Sequence, residues 1–126
     1  MMKVNRQFTA VVVCGVLMIA LLGCATAPAE SPDMDLTNQA FAALSKGEYE
    51  KAEALLEVAL SINPENPYAL LNLGVVYQQT GRIEQARDMY VKIVLLNPPD
   101  TADESNVPGA RGKKIVDIAK ENLEHI

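Results

Sequence analysis

Residues 67–98 read PYALLNLGVVYQQTGRIEQARDMYVKIVLLNP, and residues 33–64 read DMDLTNQAFAALSKGEYEKAEALLEVALSINP. Laid over each other without a gap, at a shift of 34 residues, they pair Gly47 with Gly81, Tyr49 with Ile83 and Ala52 with Ala86. The register continues through Leu56 with Tyr90, Ala59 with Ile93 and Asn63-Pro64 with Asn97-Pro98. Self-similarity at one fixed period is the mark of a stacked array, in which each unit buries its apolar face only against its neighbour.

Each repeated residue type has a physical reason. Gly74, Ala52 and Ala86 stand where paired helices cross, and a small side chain there permits close packing. Gly47 and Gly81 suit the left-handed residue that ends a helix. Pro64 and Pro98 stop the second helix of each unit, because the residue before a proline is pushed out of helical geometry. Asn63 and Asn97 suit the turn before them. Apolar residues recur at helical spacing in Leu55, Leu56, Val58, Ala59 and Ile62, and again in Met89, Tyr90, Ile93, Val94 and Leu96. On that spacing Tyr49, Tyr77 and Tyr90 are core residues rather than a ligand cage.

The pattern Leu70-x-x-Leu73-Gly74-x-x-Tyr77, followed by Gly81, Ala86, Tyr90 and Pro98, closely resembles the tetratricopeptide repeat, whose period is also 34 residues. Leu70 stands where that family often has Trp. The earlier unit is weaker in its opening helix, with Ala40 as the small residue, and strong in Gly47-x-Tyr49-x-x-Ala52. The resemblance implies an all-α fold: two stacked helix–turn–helix repeats over 35–98, with helices near 35–46, 48–61, 67–80 and 83–96. A connection rich in Pro, Gly and Asp follows at 99–111. A fifth helix is expected over 112–126, with Ile115, Val116, Ile118, Ala119, Leu123 and Ile126 on one stripe. Two roles are open to it: capping the exposed end of the last repeat, or reaching a partner chain. Two repeats are fewer than the three usually needed for a continuous core, so the fifth helix or a homodimer must supply the missing surface.

The amino-terminal end has a different character. Lys3 and Arg6 precede an uncharged run, Phe8 to Leu22, that as a helix would span roughly 22 Å, short of the ~30 Å hydrocarbon core of a bilayer. A signal peptide over 1–23 is therefore expected rather than a membrane span. The run ends Leu21-Leu22-Gly23-Cys24, which resembles a bacterial lipobox. That resemblance implies a diacylglyceryl group on the Cys24 sulfur and cleavage just before Cys24, with two or three palmitate-type acyl chains on the residue in all. Several acyl chains anchor stably where a single one does not. By the same resemblance, Ala25 after the cysteine favours the outer membrane, facing the periplasm. Residues 24–34, with Pro28 and Pro32, read as a flexible tether.

Charge and chemistry narrow the function. The 126 residues hold 49% apolar and 21% charged side chains, the balance of a globular chain. Lys3 and Arg6 are the only charges before Cys24, which leaves nine basic against sixteen acidic residues beyond it, a net −7. Nucleic acid is not an expected partner, since that binding rests on Lys and Arg neutralising phosphates. No HExxH, no CxxC and no Gly-rich phosphate loop is present, and the single histidine, His125, stands next to the last residue. No enzyme and no cofactor beyond the lipid is expected. Glu48, Glu50, Glu53 and Glu57, with Lys51 among them, read as a solvated helix face.

In related repeats the first helices of successive units line a groove that receives a partner peptide or helix. Carried onto this chain, the groove positions are Met34, Thr37, Phe41, Leu44 and Ser45 in the first unit. In the second they are Tyr68, Leu71, Asn72, Val75, Gln78 and Gln79. Asn72 offers donor and acceptor together, which suits a peptide backbone of any sequence. It reads equally well as a solvent-facing helix residue. With no Lys or Arg among these positions, a clamp for a terminal carboxylate is not expected. The functional reading is a membrane-anchored protein-interaction module, an adaptor or assembly factor of the cell envelope. The alternative is a permanent subunit of an envelope complex such as a pilus, secretion or outer-membrane assembly system.

Overall fold

A computed structural model describes residues 29–103 and 110–126. The expected signal peptide, Cys24, the first part of the tether and the middle of the connection before the last helix lie outside the described residues. Helices follow one another as α1 (Pro32–Ser45), α2 (Tyr49–Ile62), α3 (Pro67–Gln79), α4 (Ile83–Leu96) and α5 (Ile115–Glu124). None of them is long and apolar enough to cross a membrane.

The two repeats are made by the same local chemistry. Lys46 to Glu48 turn α1 into α2: Gly47 takes φ 76°, its N–H donates to Leu44 O at 3.0 Å, and the Glu48 N–H reaches Ala43 O at 3.0 Å. Thirty-four residues on, Gly81 takes φ 78°, and the Arg82 N–H reaches Tyr77 O at 2.8 Å. The bond from each residue after the glycine back to the carbonyl five residues earlier satisfies an orphan helix-end acceptor, and it needs a left-handed residue between. The turn from α2 to α3 closes differently. Asn66 caps α3, its Oδ1 accepting from the N–H groups of Tyr68 and Ala69, both at 3.0 Å, and Pro67 follows at the first helical position.

The exact repeat breaks at the two Asn-Pro pairs. Asn63 is extended at φ −132°, as a residue before proline prefers, and leads straight into the short turn to α3. Asn97 takes φ 46° and ψ 55°, which turns the chain away from the stack into the connection.

α1 packs along α2 and α3 along α4, while α3 also lies against both α1 and α2. Six alanines are buried at these crossings: Ala40, Ala43, Ala52, Ala59, Ala69 and Ala86. Between them Leu56, Leu70, Val76, Tyr90 and Ile93 fill the core. Each fully buried Leu or Ile contributes roughly 1.5–3 kcal/mol. α5 lies on α4 and α3 through Ile115, Val116 and Ala119, so it is the capping helix and supplies the surface that two repeats lack.

Three expectations change. α1 begins at Pro32, so residues 32–34, expected in the tether, are its first turn; Pro at the first position is preorganised for a helix, and Asp33 and Asp35 favour its positive end. Glu53 does not belong to a solvated face. It is half-buried and accepts both guanidinium N–H groups of Arg82 at 2.6 and 2.7 Å, across the repeat boundary, while Arg82 also lies 4.6 Å over the Tyr77 ring. The connection, lastly, is anchored at both ends. Thr101 and Lys114 form an antiparallel bridge, the Ala102 N–H donates to Lys113 O at 2.9 Å, and Ala102 and Ala110 are buried.

Candidate functional site

Helix geometry places Met34, Thr37, Asn38 and Phe41 of α1 on one face, since residues three and four apart are neighbours. α3 sets Tyr68, Leu71 and Asn72 opposite them by the same spacing. Between the two helices opens a cavity of about 370 Å³ lined by these seven side chains. Sequence reasoning names six of the seven.

The groove has a further wall that no repeat pattern announces. Ala102 and Asp103 of the connection and Ile115 of α5 close one side, and Glu30 stands at the mouth. The Tyr68 hydroxyl donates to Thr101 O at 3.0 Å, which ties the connection down beside α3. Asp103 is invisible to periodicity because it lies in a segment without any. Glu30 reads as tether until α1 is known to start two residues later.

The floor is held by a polar knot under α1. Asp33 is 5% exposed, and its Oδ2 accepts from the Asn66 and Asn63 amides at 2.9 and 3.0 Å. Thr37 donates to Asp33 O at 2.7 Å and lies 3.4 Å from the Asn66 amide. Hydrogen bonding to its charged form, from Ser31 first and then Asn63 and Asn66, holds the Asp33 carboxyl below the usual carboxylate range against the opposing effect of burial. The same Asn66 caps α3, so one network fixes the angle between the two helices that face the groove.

Not every expected groove residue arrives there. Leu44 is half-buried against the core, Val75 is half-buried outside the cavity lining, and Gln79 is exposed at the end of α3. Ser45 turns its hydroxyl onto Phe41 O at 2.8 Å. Gln78 is drawn inward, because its Oε1 accepts from the hydroxyl of the fully buried Tyr90 at 2.9 Å. Burial pushes the Tyr90 phenol up to about 12, with the Asn122 side chain pulling the other way. A buried hydroxyl must find a partner, and sequence spacing does not reveal which residue it recruits.

Asn72 is only half-buried, and its amide has no hydrogen-bond partner among the described residues. Phe41, Tyr68 and Leu71 are also half-buried, each with part of the side chain open to the groove. The arrangement offers apolar anchoring surface, a donor–acceptor group in Asn72 and an acidic edge. His125 sits at the far end of α5, its Nδ1 meeting Glu121 O at 2.6 Å. Among the described residues no group of His, Cys, Asp and Glu is placed to hold a metal ion.

Residues 43–103 match the tetratricopeptide repeat family. The chain is 33% identical over 97 residues to a photosystem I assembly protein, Ycf3, of Synechococcus sp. strain CC9605, covering 66% of this chain and 56% of that protein. The corresponding protein of Prochlorococcus marinus strain SARG is 30% identical over the same shares. A human protein O-mannosyl-transferase, TMTC2, is 34% identical over 58 residues, 46% of this chain and 7% of that protein. The chain thus spans about half the length of the photosystem I assembly proteins that it matches. No solved structure matches it.

Proposed function

We propose that this chain, built on tetratricopeptide-type repeats, is a lipid-anchored interaction module of the bacterial cell envelope that holds a segment of a partner protein in the α1–α3 groove. The observation that carries this reading is the groove itself: half-buried Phe41, Tyr68 and Leu71 beside the amide of Asn72, which bonds no other described residue. Concave, mostly apolar sites with a few polar groups are where ligands bind. Similarity to assembly proteins supports the same class of action, holding a protein while a complex is built; the photosystem in their name is theirs. The role is non-catalytic.

The anchor rests on the order of Lys3 and Arg6, apolar run, Gly23 and Cys24. Cross-linking from membranes of cells making the full chain tests the module: a protein partner is captured by the wild type and lost with Phe41→Ala or Leu71→Ala. Replacing Cys24 by Ser tests the anchor, since label from radioactive palmitate disappears if Cys24 carries the lipid. Fractionation of inner and outer membranes tests the placement facing the periplasm.

A second reading has its own observation. Val58 and Ile62 on α2, and Val91 and Leu95 on α4, are 41–80% exposed outside the groove. Apolar surface of this kind marks interaction sites, as in a permanent subunit of an envelope complex. Stoichiometric co-purification without cross-linker favours that reading; capture only with cross-linker favours the adaptor.

A further inference from the structure

The groove has a sign as well as a shape. Glu30 stands at its mouth and Asp103 on its third wall, both exposed, and no Lys, Arg or His is among the described residues that line it. The charged neighbours of the Tyr68 hydroxyl are Asp100 and Asp103, which add to burial in raising its pKa. Two aromatic side chains, Phe41 and Tyr68, line the same space, and aromatic faces attract cations. An acidic segment would meet repulsion here, and a neutral one would leave both carboxylates without a counter-charge.

From this charge complementarity we infer that the occupant of the groove is an extended or helical protein segment carrying Lys or Arg beside an apolar anchor residue. This rests on the groove being the partner site. The apolar side chain contacts Phe41 and Leu71, the basic side chain lies between Glu30 and Asp103, and the Asn72 amide takes the segment's backbone. Complementary charge adds specificity and a faster encounter more than it adds affinity.

The test is a selection of random short peptides displayed on phage against the full chain in nonionic detergent at physiological ionic strength. The selected sequences are expected to be rich in Lys and Arg flanking an apolar residue. A synthetic peptide of that consensus should bind the Glu30→Gln/Asp103→Asn protein about three- to tenfold more weakly, the range expected of two exposed ion pairs. Repeating the selection on that variant should remove the basic enrichment. A control variant, Glu84→Gln/Glu124→Gln, removes the same charge far from the groove and should keep the enrichment. Equal losses in both variants, meaning general attraction to an acidic protein, would overturn the inference. Selected peptides without basic excess, still lost with Phe41→Ala, overturn the inference and leave the groove reading standing. Peptides indifferent to both Phe41→Ala and Asn72→Ala overturn the two together.

Discussion

Gly74 and Tyr90 are in direct contact across the α3–α4 crossing: a Cβ at Gly74 would overlap the Tyr90 ring, coming within 2.9 Å of its Cδ1. The ring is held there by complete burial and by the bond of its hydroxyl to Gln78. The glycine is thus required by packing, since its backbone is ordinary α-helix.

Gly74→Ala is accordingly expected to destabilise the fold by about 1–3 kcal/mol, the usual effect of forcing an extra carbon into a packed core. Urea unfolding followed by circular dichroism measures it. Tyr90→Leu removes the obstructing ring, so the double variant should lose less than the sum of the two single ones. Strict additivity would mean that the ring is not the obstacle.

Asp33 links stability to acid. Its folded pKa is depressed, so the stabilisation is fully present above the unfolded value near 3.8 and is lost as pH falls through the lower folded value. Thermal unfolding between neutral pH and strongly acidic buffer should show a steeper loss below about pH 4 in the wild type than in Asp33→Asn. Parallel curves would exclude Asp33 as a source of that slope. Glu53, depressed by the Arg82 hydrogen bonds and then by its charge, acts in the same direction and belongs in the comparison.

Glu53 and Arg82 couple the repeats. Glu53→Gln and Arg82→Gln each should lower the melting temperature, and together they should lower it by less than the sum, because the second change removes a partner already lost. Raising the salt concentration should weaken the wild-type advantage only in part, since the pair is half-buried and less screened than a surface pair. Full additivity in the cycle would show that the two residues act separately.

Asn72→Ala should weaken partner capture with almost no change in stability, since its amide bonds no other described residue. Asn66→Ala should do the reverse of a clean binding defect. It removes the α3 cap and the support of Asp33 together, so it should cost the fold about 1 kcal/mol or more and reduce capture only through misplacement of the groove helices. Thermal melts run beside cross-linking yields separate the two.

The repeats were legible because their signals are local. Gly47 and Gly81 announce left-handed helix ends, Pro64 and Pro98 announce stops, and small residues at fixed spacing announce crossings. These follow from backbone sterics that act within a few residues. On the same ground the faces of α1 and α3 were readable, and with them Met34, Thr37, Phe41, Tyr68, Leu71 and Asn72.

What needed the tertiary structure was every relationship across the 34-residue gap or beyond the repeats. Asp33 reads as tether until Asn63 and Asn66 reach it, and Glu53 reads as solvated until Arg82 does. Gln78 reads as groove until the Tyr90 hydroxyl claims it. Asp103 gains its place only because the Thr101–Lys114 bridge and the Tyr68 bond hold an aperiodic segment over the groove. The 34-residue register by itself determines the stacked helices, since periodic burial can be satisfied in few ways. The choice of partner for a polar or charged side chain depends on distances that no local pattern encodes, and only the folded chain decides it.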